Sequence, residues 1–159
     1  MHSRGYLRVV LDSSPLIVLA KLGLLESITK VFNDTEVPQG VLEEISKKKN
    51  EVYAGIIKLI RQGKIRIENV KKKLPRLGLG ESSAIFLALM KGKIVVLDDK
   101  KARKLARELG LEVIGTLSIL KKLHNEGLLK DTPNTLYRRL IEIGFYIDKQ
   151  IFDKIFKEF

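Results

Sequence analysis

The sequence contains no cysteine and no tryptophan, and its only histidines are His2 and His124. The missing thiols exclude a disulfide scaffold, a cysteine nucleophile, a redox CxxC pair and every cysteine-ligated zinc or iron–sulfur site. Two histidines are too few for a histidine-rich metal site. No apolar run approaches the ~20 residues that a membrane-spanning helix needs, and no charged segment followed by a signal-type apolar run stands at the start. A cytoplasmic protein without membrane contact is therefore expected. The absence of GxxxxGK[ST] excludes a P-loop enzyme, and no GxGxxG follows a strand-like segment. Internal repeats and low-complexity tracts are missing as well.

What is present is positive charge. Thirty Lys and Arg against nineteen Asp and Glu leave a net charge of +11 on 159 residues. Such a field attracts polyanions, nucleic acid first among them. A lysine surplus also suits the surface ion networks of heat-stable proteins, so charge by itself does not assign RNA or DNA binding. The length fits one domain, residues 1–159, with room for a core.

The apolar pattern alternates strand and helix. Residues 7–11 (LRVVL) form a short apolar run that stops at Asp12-Ser13-Ser14-Pro15, after which Leu16, Leu19, Ala20 and Leu24 recur at helical spacing. A strand at 32–37 stops at Pro38 and gives way to a helix, and a helix at 52–62 leads to a brief strand at 65–70, suited to a sheet edge. The segment 71–80, rich in Lys, Pro and Gly, reads as a loop. Gly80-Glu81-Ser82-Ser83 opens a strongly apolar helix that Gly92 ends, and 94–97 is a fully apolar run of the kind found in buried parallel strands. A helix at 100–109, a strand at 112–114 and a helix at 117–125 follow. Two helices divided near Gly144 occupy 135–159, with Leu136, Leu140, Ile143, Ile147, Ile151, Ile155 and Phe159 as an apolar stripe. This is an α/β pattern with a mainly parallel central sheet and helices on both faces.

Ligands of such sheets bind beyond the carboxyl ends of the strands. Asp12 directly follows the first strand, and Asp98 and Asp99 directly follow the run at 94–97; Glu81 sits in the first turn of its helix, and Glu43 and Glu44 lie early in the helix after Pro38. Each of these acids alone is explained by helix capping and the helix dipole. Together they crowd like charges into one crevice of a basic protein, which is unfavourable without a cation. Oxygen-only ligands suit Mg²⁺ or Mn²⁺. An acidic metal site in a basic surface is the arrangement that phosphodiester hydrolysis needs.

The runs VLDSSPLI at 10–17, VPQGVLEEI at 37–45, GESSAI at 80–85 and LDDKKAR at 97–103 resemble, in order, the acidic motifs of PIN domains, and most closely the PIN-like subgroup DUF3368. The turn Gly115-Thr116-Leu117 and the segment 144–147 (GFYI) are similar too, so the likeness spans nearly the whole chain. It implies a three-layer α/β/α sandwich, with the helices at about 135–159 as a family-type extension. It further implies a Mg²⁺- or Mn²⁺-dependent ribonuclease, often the toxin of a type II toxin–antitoxin pair, with an antitoxin protein and a second copy of the chain as partners. Residue by residue, it makes Asp12 the first metal ligand, Glu44 the second acid with Glu43 as its fallback, Glu81 the third and Asp99 the fourth, with neighbouring Asp98 equally able to face the metal. Ser13 is placed to contact metal or phosphate, or to cap a helix. Lys100, Lys101 and Arg103, beside the last acids, are candidate phosphate contacts, and the Lys47–Lys49 and Lys71–Lys73 runs are weaker ones. One departure stands out: many toxin-type members carry Thr or Ser shortly before the fourth acid, where this chain has Leu97.

Two other classes fit parts of the pattern. A phosphoacceptor or phosphatase-like domain would use Asp12 and the later Asp pair with Mg²⁺ but leaves Glu44 and Glu81 unexplained. A PIN-like module that binds RNA or protein without cutting would be expected to have lost acids, and all four motifs keep theirs.

Overall fold

Strand β1 (Arg8–Leu11) is buried on both sides: Val9 and Leu11 belong to one apolar cluster and Val10 to another, all fully buried. Two-sided burial requires helices on both faces, which is the condition for a parallel sheet. In the computed structural model, which describes residues 7–48 and 50–156, β1 is the centre of such a sheet. It pairs in parallel with β2 (Asp34–Pro38) and β4 (Ile94–Val96); β3 (Arg66–Glu68) adds to β2 and β5 (Val113–Ile114) to β4, all parallel, in the order β3-β2-β1-β4-β5. The brief third strand lies at an edge, as its mixed pattern suggests.

Among the described residues the strands are joined by helices on both faces. Helix α5 (Leu79–Lys91) packs Ala84, Ile85, Leu87 and Ala88, and α6 (Lys100–Glu108) packs Ala102 and Ala106, against Val10, Val95 and Leu97. On the opposite face α1 (Ser13–Lys21), α2 (Leu25–Ile28), α3 (Gln39–Ser46), α4 (Glu51–Arg61) and α7 (Thr116–Asn125) enclose Val9, Leu11 and Val96. The result is the expected three-layer α/β/α arrangement. The one-turn α2 carries too little periodic signal to be seen in the sequence.

The C-terminal helices α8 (Pro133–Glu142) and α9 (Lys149–Phe156) close over this second face. Most of the expected stripe packs inward: Leu136 and Leu140 are buried, and Ile143, Ile147 and Ile155 pack partly buried against the core. One position is corrected, since α9 buries Phe152 and Phe156 and leaves Ile151 53% exposed; Phe159 lies outside the described residues. Arg139 fastens α8 to the rest by donating to the Leu22 carbonyl (2.8 Å) and to Asp131 (2.7 Å).

One feature of the sheet has no counterpart in the sequence reading. Glu36, fully buried in β2, is met by Lys93 (2.8 Å), Lys91 (2.9 Å) and Arg66, while Lys93 also reaches Asp34 (2.6 Å). Burial pushes the Glu36 carboxyl up, and the hydrogen bonds from Lys93 and Lys91 outweigh it, holding the group below its ordinary range. These charges sit toward the strand N-termini, the end of the sheet away from the candidate acids.

Candidate metal centre

The acids are brought together by two backbone features. The Asp12 N–H donates to the Val96 carbonyl (3.2 Å) and the Leu97 N–H to that of Ile114 (3.0 Å), so the chains leaving β1 and β4 remain side by side. Helices α3 and α5 approach closely on the other flank, because Gly40 faces Ser83 and Gly80 faces Glu44 with no side chain between them. Ser82 and Ser83 tie the loop at 71–78 to α5. Ser83 Oγ accepts from the Lys72 N–H (3.0 Å), and Ser82 Oγ accepts from that of Leu74 (2.9 Å) and donates to the Gly78 carbonyl (2.7 Å).

Asp12 stands at the N-terminus of α1, where an aspartate normally caps the helix, yet its side chain makes no capping bond. It is 4% exposed and its Oδ1 has no hydrogen-bond partner. The pKa is pushed up from 3.8 to about 7, first by burial and further by Glu81, Glu44 and Asp98, while the Ser13 N–H pulls the other way. An orphaned carboxylate oxygen beside three other carboxylates is the position in which a cation is missed most.

The three neighbours are each oriented by neutral donors. Glu44 accepts from Ser13 Oγ (2.7 Å) and from the Gly80 N–H (2.9 Å). Asp98 accepts from the Thr116 N–H (2.9 Å), Thr116 Oγ1 (2.6 Å) and Ser14 Oγ (3.3 Å). Glu81 accepts from the Gly78 N–H (3.0 Å), the capping role its position suggests, while still facing Asp12. These donors stiffen the carboxylates and add no positive charge. A methyl at Gly80 would collide with Glu44 and would stand 2.8 Å from Ser13 Oγ and 3.0 Å from Asp12 Oδ1, so the glycine keeps open the space that the acids share.

Among the described residues no three acidic or histidine side chains converge tightly enough to clasp one ion by themselves. The all-oxygen donor set and the unpartnered Asp12 Oδ1 fit a hard divalent cation such as Mg²⁺ or Mn²⁺.

The remaining sequence candidates fall elsewhere. Asp99 caps α6, accepting from the Ala102 N–H (3.0 Å); it does not join the four acids. Glu43 points to Lys71 (2.9 Å). Lys100 and Lys101 are exposed at the start of α6. Arg103 turns inward, donating to the Leu97 carbonyl (2.7 Å), where burial and Arg107 lower its pKa against the opposing pull of Asp98; it braces the backbone that carries Asp98 and is not extended toward solvent. Of the lysine runs, Lys72 lies over the Phe86 ring (5.0 Å), and Lys49 lies outside the described residues. Thr116, Ser14 and Gly80 belong to the centre without having been singled out. Thr116 had a signal, a hydroxyl residue directly after a strand in a turn already noted, and it supplies Asp98 with a hydroxyl that Leu97 cannot.

Two solved structures are similar to the chain at low identity: a PilT N-terminus domain protein, SSO1118, from the hyperthermophilic archaeon Sulfolobus solfataricus P2 (18% identity, TM-score 0.42, 79% of this chain and 97% of that one), and PAE2754 from Pyrobaculum aerophilum (15%, 0.47, 76% and 98%). No curated protein matches. Residues 8–159 match the family described as DUF3368, PIN domain. The chain, with its all-parallel five-stranded sheet and its acids at the carboxyl end, belongs to the DUF3368 family of PIN domains.

Proposed function

We propose that this protein is a divalent-metal-dependent endoribonuclease whose centre is formed by Asp12, Glu44, Glu81 and Asp98. PIN domains are commonly nucleases that use divalent metals, and the observation that carries the proposal for this chain is Asp12: buried, uncapped, with a free oxygen and its pKa near 7 amid three further acids. Asp12 would hold the ion directly, and Asp98, Glu44 and Glu81 would supply the further carboxylate oxygens around it. Bound there, Mg²⁺ or Mn²⁺ would lower the pKa of a water and offset charge on the phosphate. The protein's own part is orientation. Ser13 and Gly80 fix Glu44, Thr116 and Ser14 fix Asp98, and Arg103 holds the end of β4. With Asp12 ionised, the carboxylates repel a bare phosphate, so the RNA backbone reaches the site only with a cation present and through the surrounding lysines.

The test is cleavage of mixed-sequence RNA oligonucleotides by the purified protein with Mg²⁺, Mn²⁺ or chelator. The expected result is metal-dependent endonucleolytic cutting that Asp12→Asn and Asp98→Asn each reduce by about 100-fold or more. Cutting that survives both substitutions, or that persists in chelator, would remove the centre from the reaction.

A further inference from the structure

A half-buried arginine stands beside the carboxylates and points its hydrogen bond elsewhere. Arg103 Nη1 donates to the carbonyl of Leu97 (2.7 Å), the residue directly before Asp98. A methyl on Gly115 would lie 2.8 Å from that Nη1 and 3.1 Å from Asp98 Oδ1. The guanidinium and the carboxylate therefore flank one point, and only a glycine leaves room for both. Asp98 is engaged with other donors: Oδ1 accepts from the Thr116 N–H, and Oδ2 accepts from Thr116 Oγ1 and Ser14 Oγ. It still acts on Arg103 through space, since burial and Arg107 lower the guanidinium pKa and Asp98 pulls it back up. An arginine stays charged in such surroundings. Asp98 thus carries a permanent positive charge on one flank while its oxygens remain turned to neutral donors. Elsewhere in the cluster Glu44 Oε1 accepts from Ser13 and Oε2 from the Gly80 N–H, whereas Asp12 Oδ1 is buried without a partner. The need for a cation is greatest at Asp12 and is already met in part at Asp98.

We propose that Arg103 is a fixed second cation of this centre, so that the site takes a single divalent ion, at Asp12, and excludes a second one from Asp98. The assignment rests on the metal-ion part of the ribonuclease reading above and adds to it an ion count. A two-metal site sets two dications about 4 Å apart between shared carboxylates. A guanidinium held beside one of those carboxylates repels a dication there, and partial burial strengthens the repulsion because little water screens it. One guanidinium against four acids still leaves the centre short of positive charge, so the first ion remains favoured. The Leu97 carbonyl and Gly115 keep the guanidinium near Asp98 without letting it bond and neutralise the carboxylate.

The experiment counts ions without reference to turnover. Metal-free protein is titrated with Mn²⁺ by calorimetry, and electron paramagnetic resonance spectra are recorded up to free Mn²⁺ about a hundred times the first dissociation constant. Wild type is expected to bind one ion per chain and to show the hyperfine pattern of isolated Mn²⁺. Arg103→Gln, which keeps an N–H donor and removes the charge, is expected to bind a second ion and to show the exchange-coupled spectrum of a close pair. Arg103→Lys, which keeps the charge, should stay at one ion. A brace acting through the Leu97 carbonyl alone would make both variants lose the first ion together, and that result overturns the assignment. So does a coupled pair in the wild type, which requires no variant to fold. An Arg103→Gln that keeps the wild-type circular dichroism and still binds one ion, or an Arg103→Lys that takes two, overturns it as well. The two readings fail separately: wild type that binds one Mn²⁺ and never cuts RNA refutes the ribonuclease and leaves the ion count standing, whereas metal-dependent cutting with two ions bound refutes the single-ion centre alone.

Discussion

Neighbouring acids in the same motif have opposite fates in this protein, and two substitutions expose the difference. Asp99 is a helix cap, so Asp99→Ala should cost about 1 kcal/mol in urea denaturation and leave metal-dependent cleavage near wild type; Asp98→Ala should abolish cleavage. Equal loss of cleavage in both variants would place Asp99 in the reaction after all. Asp12 makes a second prediction, through pH. Its carboxyl has a folded pKa of about 7 against 3.8 for the free group. The raised value contributes stability that is fully present below about pH 4 and is lost as pH rises through about 7. The metal-free protein should therefore melt at a lower temperature at about pH 8 than at about pH 5. Asp12→Asn should raise the melting temperature at the higher pH, with Mn²⁺ stabilising the wild type most where the proton has left. The sequence showed that acids gather at this end of the sheet. It could not say which of Asp98 and Asp99, or of Glu43 and Glu44, faces inward, because one residue of rotation at a strand-to-helix junction decides it.

At the scale of elements, the approach of α3 to α5 makes the site possible, and two glycines permit it. Gly80 lies in the first turn of α5, where alanine would ordinarily favour the helix by about 1 kcal/mol. Here its methyl would push on Glu44, Ser13 and Asp12. Gly80→Ala is expected to cut Mn²⁺ affinity at least tenfold, measured by calorimetry, and to keep the far-ultraviolet circular dichroism of wild type. Neither glycine announces this in the sequence, where each reads as part of a turn or a helix start. The strand-and-helix order was legible because the parallel strands carry unbroken apolar runs and the helices are bounded by Asp12, Pro38, Gly92 and Gly110. The burial of Phe152 and Phe156 in place of Ile151 was not, because an exposed turn at Gly144 can restart a helix at a shifted phase.

Across the whole molecule, charge is sorted between the two ends of the sheet. Toward the strand N-termini, Asp34 and Glu36 are matched by Lys91, Lys93 and Arg66, whereas at the carboxyl ends four acids have only neutral donors. The first set is structural. Lys93→Ala should destabilise the fold by roughly 3 kcal/mol in urea titration, since it strips a buried carboxylate of one counter-charge, with no effect on metal affinity. The second set, left unbalanced, is the one that the proposed cation would balance. Nothing in the polar run Asp34-Thr35-Glu36 marks Glu36 as buried, and its partners Lys91 and Lys93 come from a distant stretch of the chain. At this scale the net charge of +11 includes Lys21, Lys47 and Lys48, which line one cleft together with Glu44. If the protein acts as a toxin, as its resemblance to toxin-type PIN domains implies, its expression in a bacterial host should arrest growth, and Asp12→Asn should relieve the arrest at equal protein level.

The most direct test of the metal centre is isothermal titration of Mn²⁺ into the metal-free protein in two buffers of different ionisation enthalpy. Near pH 6, where the Asp12 carboxyl is mostly protonated, binding should release close to one proton; near about pH 8.5 it should release almost none, and Asp12→Asn should bind at least about tenfold more weakly. Binding of equal strength in Asp12→Asn, or no proton release near pH 6, would contradict the assignment of this carboxylate as the ligand around which the site is built.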